Sequence, residues 1–560
     1  MLILTIAIIS VDNIATVENN TVLKITLAGN SCDRATPVKP INKLMGDADN
    51  QFAVNSVIKS IEKAKNDVRI PGIILECGGL NIGAAQAQSI RQALIDFRKS
   101  DKWVIAYGDT YSQTEYFIST AANSIILNTI GMVDIHGLSA TTIYFKELLD
   151  KIGVKAQVVK VGTYKSAVEP FILDKMSDAN RQQQEHFLNR IWSSITNTIA
   201  DSRNVSPDSV NMWADSYAFT QKTDWYLNQN IVDRLMYKHQ LEDYISIMLE
   251  TDKLQTIEYD DYLGNVVDTG KRYADNKVNI AVLYAEGDIT ESASDGIASE
   301  RLVPEILRLA ELEHIDGLIL RVNSGGGSAF ASEQIWEALE QYKAISGKPF
   351  YVSMSNIAAS GGYYISCGAD KIFAEPLTLT GSIGIFGIIP EAQSLLNDKL
   401  GINTFTVATN SGGLPDFYKP MSAGQRAAMQ KYVDNGYDLF LNRCAEGRNL
   451  SVEAIAEVAQ GRVWDGTSAL EYGLIDELGS LKDALEDMTA ELEATDYAIL
   501  EYPVITSNFW DQLLDMTSGS ESYSAKLRNY LNAGVEFYDA INSFKSMSPL
   551  QCRMEYIIME

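Results

Sequence analysis

The chain has 560 residues, of which 46% are hydrophobic and 21% are charged, and its formal net charge is -27 at pH 7. This length exceeds what one hydrophobic core usually organises, and the globular composition excludes a disordered chain or a polytopic membrane protein. The strong negative charge argues against nucleic acid and anionic lipid headgroups as partners, because both attract basic patches.

The N-terminal segment 1–20 contains an apolar run from Met1 to Ile9. A membrane-spanning helix needs about 20 apolar residues, and a signal peptide has a basic stretch before its apolar core. We therefore expect either a truncated membrane anchor whose start lies upstream, or a first strand or disordered end.

The next elements alternate between short apolar runs and helical stretches. Strands are predicted at Thr21–Asn30, Ile70–Glu76 and Trp103–Gly108, with a helix over Ala84–Arg98 between the last two. Such alternation is typical of βα units around a mainly parallel sheet.

The same order returns in the second half, which makes the chain an internal repeat. The motif Phe-Ile-Ser at 117–119 matches Tyr-Ile-Ser at 364–366, a spacing of 364 - 117 = 247 residues. We predict tandem α/β domains at 21–250 and 278–495, joined by a polar, acidic linker at 251–277. Residues 496–560 are expected to form a helical extension, with amphipathic character around Tyr523–Phe544.

The motif IAASGGYYIS, residues 357–366, is typical of an exposed nucleophile. A serine before a helix places backbone amides and the positive end of the macrodipole near a developing oxyanion, and Gly361 allows close approach of a carbonyl. Ser360 is therefore a candidate nucleophile, although the same pattern fits an ordinary helix cap.

A glycine-rich turn, NSGGGS at 323–328, follows an apolar strand. The amides of Gly326 and Gly327 are candidate oxyanion donors, and the turn offers an edge for pairing with an extended peptide. The spacing fits neither of the glycine-rich phosphate-binding motifs.

A serine nucleophile needs a base, and the four histidines show no triad pattern. Lys165 lies in VGTYKSAVEPF, residues 161–171, a run of small and apolar residues suited to a desolvated amine whose pKa is lowered. By the repeat, Ser360 aligns with Gln113 and Lys165 with Gly413. Each half thus lacks what the other retains, which predicts one active site assembled across the two domains.

Metals and disulfides are not expected. The five cysteines are widely spaced without a CxxC pair, and the histidines lack metal-ligand spacing. We predict buried structural thiols and no cofactor. The cysteines are Cys32, Cys77, Cys367, Cys444 and Cys552.

Five motifs in order, AASGGYYIS, NSGGGS, LTGSIGIFG, GTYKSAVEPF and GRVWDGTSALEYGLIDELG, make the chain resemble the long form of the signal peptide peptidase A (protease IV) family, within the ClpP/crotonase-like superfamily. The resemblance implies a Ser360/Lys165 dyad, with Ser382 orienting the lysine and Gly361 plus the Gly326/Gly327 turn as oxyanion site. It also implies a homo-oligomer, a tetramer in this family, that cleaves hydrophobic signal peptides. The family's location is the bacterial inner membrane, with the catalytic body on the periplasmic side and the N-terminal segment as anchor.

Two alternatives stay open at this point. A crotonase-like acyl-CoA enzyme would use the same paired amides without a serine acyl-enzyme. A non-catalytic scaffold would present a hydrophobic surface to peptides, since the first copy already lacks a nucleophile.

Overall fold

A computed structural model describes residues 17–35, 51–264, 277–293, 296–504, 551–554 and 558–559. The apolar run Met1–Ile9 and the helical stretch expected around Tyr523–Phe544 lie outside these residues. Within the described ranges, no helix combines the length and apolar character needed to cross a lipid bilayer.

The chain alternates strands and helices as the sequence predicts. The strands are β1 (Val22–Cys32), β2 (Gln51–Ala53), β3 (Gly72–Asn81), β4 (Trp103–Tyr111), β5 (Ser124–Val133), β6 (Ala140–Thr141), β7 (Lys155–Lys160), β8 (Arg234–Leu235), β9 (Thr256–Glu258), β10 (Val278–Glu286), β11 (Ile289–Thr290), β12 (Ile297–Ala298), β13 (Gly317–Ser324), β14 (Gly326–Ser328), β15 (Phe350–Ala359), β16 (Lys371–Ala374), β17 (Leu379–Gly381), β18 (Phe386–Glu391), β19 (Val463–Asp465), β20 (Glu477–Leu478), β21 (Tyr497–Tyr502), β22 (Gln551–Arg553) and β23 (Ile558–Met559). The helices are α1 (Val54–Asn66), α2 (Ala84–Arg98), α3 (Gln113–Ser119), α4 (Lys146–Ile152), α5 (Glu169–Ile172), α6 (Asp178–Arg203), α7 (Pro207–Asp215), α8 (Thr223–Asn228), α9 (Lys238–Met248), α10 (Tyr259–Leu263), α11 (Ser299–Ala310), α12 (Ala329–Ser346), α13 (Gly361–Tyr364), α14 (Ala423–Arg448), α15 (Val452–Val458), α16 (Gly466–Glu471) and α17 (Leu481–Glu491), with a 3₁₀ turn at Ala218–Thr220 and a π turn at Leu395–Lys399.

The chain divides into two compact units, and each unit is built from two separate stretches of the sequence. Residues 1–138 with 190–271 form the first unit, and residues 139–189 with 272–560 form the second. The domain borders predicted from the repeat assign residues 139–189, and with them Lys165, to the first domain. Their contacts place them in the second unit, because β7 pairs antiparallel with β18 over six residue pairs.

The first unit contains a seven-stranded sheet in the order β2-β1-β3-β4-β5-β8, with β9 also paired to β1. Every pairing in it is parallel. The run Gly72–Leu75 of β3 is buried on both faces, as the central strand of a parallel sheet requires. This confirms the predicted α/β class for the first half.

The main sheet of the second unit repeats this plan in the order β19-β17-β15-β13-β10-β21. The pairings β10-β13 and β13-β15 are parallel, like β1-β3 and β3-β4 in the first unit. Strand β19 runs antiparallel at one edge. The tandem α/β architecture with mainly parallel sheets is therefore confirmed.

The second unit also has a smaller sheet, in the order β12-β11-β14-β22-β18-β7, built from five separate parts of the sequence. Strand β22 lies between β14 and β18 and is antiparallel to both. Within the predicted C-terminal extension, 496–560, the described residues include two paired strands. Strand β21 extends the main sheet beside β10, and β22 lies in the small sheet.

Candidate active site

Ser360 lies at the turn that follows β15, the strand of the second unit that corresponds to β4 of the first. Its backbone has φ 57° and ψ -111°, a conformation that non-glycine residues rarely adopt and that is common at functional sites. The Ser360 amide donates a hydrogen bond of 2.8 Å to the Gly381 carbonyl, which fixes the turn. Helix α13 then begins at Gly361 but is only four residues long. The site therefore offers the first-turn amides of a short helix, with only a small contribution from its macrodipole.

Lys165 reaches Ser360 within the second unit. Its Nζ lies 2.6 Å from Ser360 Oγ, and the lysine is 1% exposed. Burial lowers the pKa of the Lys165 amine to about 8, because removal from water disfavours the charged form. A substantial fraction of this lysine is therefore neutral, and able to accept a proton, at mildly alkaline pH.

Ser382 completes the surroundings of the amine. Lys165 Nζ lies 3.1 Å from Ser382 Oγ and 3.0 Å from the Ser382 carbonyl oxygen, and the Ser382 hydroxyl donates to the Gly461 carbonyl at 3.4 Å. A neutral amine has two hydrogens and one lone pair. The two oxygens of Ser382 can accept the two hydrogens of the amine, and the Ser360 hydroxyl can donate to its lone pair. The geometry therefore suits the neutral form of Lys165.

Two glycines make room for the lysine. A Cβ on Gly384 would lie 3.3 Å from Lys165 Cδ, and a Cβ on Gly461 would lie 2.7 Å from the lysine Cα. Gly461 also has φ 78°, a left-handed conformation. Side chains at these positions would press on Lys165, which explains the small residues around it.

Gln183 holds the loop that carries Lys165, and sequence reasoning missed it. Its Nε2 donates to the Tyr164 carbonyl at 3.0 Å and to Ser166 Oγ at 3.1 Å, while its Oε1 accepts from the Val463 amide at 3.3 Å. The side chain is 2% exposed. A buried glutamine with both ends bonded ties the two residues flanking Lys165 to strand β19.

The glycine turn adjoins the serine, and its two predicted donors differ. Gly326 has φ 101°, and its amide donates to Ser324 Oγ at 3.1 Å. A Cβ on Gly326 would lie 2.6 Å from the Gly361 nitrogen, so the turn and the first amide of α13 are neighbours. Gly327 is paired with Ile289 on one side and with Cys552 on the other. The Gly361 amide, the first after Ser360, is therefore the clearer candidate for an oxyanion donor.

Cys552 also lies at the serine, which its assignment as a structural thiol did not anticipate. Its Sγ is 3.1 Å from Ser360 Oγ, and the residue is fully buried. Burial raises the pKa of the thiol to about 11, although Lys165 opposes the shift. The thiol is therefore neutral near pH 7 and competes weakly with Ser360 as a nucleophile.

In the first unit, Gln113 occupies the corresponding position after β4. Its Oε1 accepts hydrogen bonds from the amides of His136 and Gly137, and its Nε2 donates to the Gly137 carbonyl. The Gln113 side chain thus holds the loop that contains His136 and Gly137.

The described part of the chain contains no group of three or more His, Cys, Asp or Glu residues suited to a metal ion.

An α/β unit with a lysine-contacted serine at the turn after a central strand defines the class of serine hydrolases. Comparison with known proteins narrows the class. The chain matches the model of peptidase family S49 over residues 96–246 and 343–495, one stretch in each half. The chain belongs to peptidase family S49 and is a serine-type endopeptidase.

Individual relatives agree with this assignment. Protease 4 of Haemophilus influenzae is 37% identical over 444 residues, covering 77% of this chain and 71% of the relative. Protease 4 of Salmonella typhi is 35% identical over 497 residues, covering 85% and 78%. A protein of Enterococcus faecium named putative signal peptide peptidase SppA is 36% identical over 245 residues, covering 42% and 70%. A peptidase is thus favoured over the acyl-CoA enzyme and the scaffold.

Proposed function

We propose that Ser360 is the nucleophile of this endopeptidase and that Lys165 is its general base. The observation that carries the proposal is the 2.6 Å contact between Lys165 Nζ and Ser360 Oγ in a buried pocket. The neutral amine takes the hydroxyl proton as the serine oxygen attacks a peptide carbonyl carbon. The ammonium then protonates the leaving amine, and the acyl-enzyme is hydrolysed by water that the same amine activates.

Ser382 keeps the amine directed at Ser360 by accepting its two hydrogens at 3.1 Å and 3.0 Å. The Gly361 amide, together with an amide of the Gly326/Gly327 turn, receives the developing oxyanion. Preorganised amides of this kind contribute about 3 to 4 kcal/mol each to lowering the barrier.

The substrate is an extended apolar peptide. It binds as a strand between β14 and β18, in the position that β22 fills in this structure, because both strands offer their edges to an added strand there. The buried side chains of Val168, Phe386 and Ile388 form an apolar cluster, with Phe171 and Ile172 packed against it, beside this position. Such a lining favours hydrophobic peptides over charged ones.

Cleaved signal peptides fit this chemistry, since their central segment is apolar. The support is the resemblance in sequence motifs and the name of the Enterococcus faecium relative. We propose that the enzyme works at the bacterial inner membrane, on the periplasmic side, as a homo-oligomer, a tetramer as in the resembling family. We propose two α/β domains at 21–250 and 278–495, as the repeat predicts, except that residues 139–189 are grouped with the second domain.

The dyad is tested with purified Ser360→Ala and Lys165→Ala and a hydrophobic fluorogenic peptide. Both variants are expected to lose nearly all hydrolysis, and a fluorophosphonate or β-lactone probe is expected to label the wild type but not Ser360→Ala. Ser346→Ala is the matched control, because its hydroxyl donates to the Tyr342 carbonyl at the end of α12. Wild-type rates in either dyad variant would disprove the assignment.

A further inference from the structure

Strand β22 fills the position that we assign to the substrate, so its contacts show which groups face each residue of a strand bound there. Cys552 and Arg553 both pair antiparallel with β14. The Cys552 carbonyl oxygen would be 3.1 Å from a Cβ on Gly361, so this oxygen lies beside the candidate oxyanion donor. The peptide bond from Cys552 to Arg553 thus marks the register at which a bound peptide presents a bond to Ser360.

The side chains on the two sides of this bond point to different surroundings, because successive residues of a strand face opposite ways. Cys552 Sγ lies 3.1 Å from Ser360 Oγ. Arg553 Nη2 instead forms an ion pair with Asp288 Oδ2, in the turn that joins β10 to β11. The arginine side chain is 15% exposed and the aspartate side chain 46% exposed. A carboxylate therefore lies next to the residue that directly follows the bond facing the serine.

The turn that carries Asp288 is fixed to the glycine turn of the active site. The Ser324 hydroxyl donates to the Gly287 carbonyl at 2.6 Å, and Ser324 Oγ accepts from the Gly326 amide at 3.1 Å. The Ile297 amide donates to the Asp288 carbonyl at 2.9 Å. One serine thus bonds to both turns, so the Asp288 backbone is held at a set place relative to the bond that Ser360 attacks.

We propose that Asp288 is a specificity-determining residue that selects lysine or arginine directly after the bond that is cut. The inference rests on the proposed function and refines its substrate class to an apolar peptide with a cation on the leaving side. Because the Asp288 carboxylate is nearly half exposed, water screens its attraction for a cation. Exposed pairs of this kind are weak, and we expect a preference of about two- to fivefold.

The test is a competition among peptides that share one apolar sequence before the bond and differ only in the residue after it, which is Lys, Arg, Gln, Met or Glu. All are mixed with the full-length protein, and mass spectrometry locates the bond cut in each. Since every peptide competes for the same position, the ratio of kcat/KM values does not depend on how often β22 fills it. We expect the Lys and Arg peptides to be cut about two- to fivefold faster than the Gln peptide, and the Glu peptide slowest.

Charge variants assign the preference to one side chain. Asp288→Asn is expected to bring the ratio of the Lys to the Gln peptide to about one, and Asp288→Lys to make the Glu peptide the fastest. Glu286→Gln is the matched control, because Glu286 is an exposed carboxylate of the same region whose Oε1 accepts from Asn323 Nδ2 at 3.2 Å. This control should keep the wild-type ratio. The preference should also shrink between about 0.05 M and 0.5 M salt, as screening increases.

The outcomes separate this inference from the proposed function. Ser360-dependent cleavage of all the peptides at equal rates would overturn the selection by Asp288 and leave the endopeptidase assignment standing. A Lys preference that persists in Asp288→Asn would also overturn it, as would cleavage at a bond that does not directly precede the varied residue. If no peptide is cleaved in a Ser360-dependent way, the proposed dyad itself fails, and the assignment of Asp288 fails with it.

Discussion

Lys165 Nζ lies 2.6 Å from Ser360 Oγ although the two residues are 195 positions apart in the sequence. The lysine reaches the serine because β7 pairs with β18 and carries the segment 139–189 into the second unit. The sequence predicts a site shared between the two domains, but in the structure Lys165 and Ser360 lie in the same unit. Lys165 belongs by sequence to the first copy and by contacts to the unit that contains the serine.

The first prediction concerns the pH dependence of hydrolysis. Only the neutral amine accepts a proton, and burial lowers the pKa of Lys165 to about 8. We expect kcat/KM to rise about tenfold per pH unit below that value and to level off above it. The measurement is a pH profile from 6 to 10 with a neutral peptide. An ascending limb centred near the ordinary lysine pKa would contradict a buried base.

The second prediction concerns stability. A lysine whose pKa falls from 10.5 to about 8 on folding binds fewer protons in the folded state between those values, so stability rises with pH across that window. At pH 7 the buried charge costs up to about 3 kcal/mol. Lys165→Met should remove this cost and raise the melting temperature while abolishing activity. Lys155→Met, an exposed lysine on β7, is the control and should change neither property.

The stability gain of Lys165→Met should itself depend on pH. It is expected to be largest below pH 8 and to shrink as the pH rises to 10.5 and beyond, where the amine of the unfolded chain also loses its proton. Chemical denaturation at pH 7 and pH 10 measures the difference. A variant less stable than the wild type at pH 7 would show that the hydrogen bonds to Ser382 outweigh the cost of burial.

The third prediction concerns Ser382, whose φ of 51° lies in the left-handed region. Ser382→Ala removes one acceptor of the lysine amine and should lower kcat by about 10- to 100-fold with little change in KM. Ser382→Gly removes the same hydroxyl and relieves the backbone conformation. The two variants should lose similar activity while the glycine variant is the more stable. Full activity in the glycine variant would assign Ser382 a backbone role alone.

Much of this site was predictable because its motifs are local. Ser360 is marked by the small residues around it, and Lys165 and Ser382 lie in compact motifs of their own. The membership of 139–189 was not predictable, since it depends on a strand pairing more than 220 residues apart in sequence. The short α13 follows from Gly361 and Gly362, which are poor helix formers. The three residues of β22 have too little length for any periodicity to indicate a strand.

The fourth prediction concerns Gln183, which contacts neither Ser360 nor substrate and acts through the loop around Lys165. Gln183→Leu removes the hydrogen bonds to the Tyr164 carbonyl, Ser166 Oγ and the Val463 amide. Each buried group left unpaired costs about 1 to 3 kcal/mol of stability. A displaced lysine should lower kcat by about tenfold or more, because small misplacements of a catalytic group are costly.

The test of this positioning role is the pH profile, which a purely structural role would not move. If the loop loosens, the Lys165 amine gains water, and the ascending limb should shift upward from about pH 8 towards the ordinary lysine pKa. Gln182→Leu is the matched control, since Gln182 is the exposed neighbour and its Oε1 accepts from the Tyr164 hydroxyl at the surface. A Gln183→Leu variant with reduced stability but an unshifted pH profile and unchanged kcat would show that Gln183 contributes to stability and does not position Lys165.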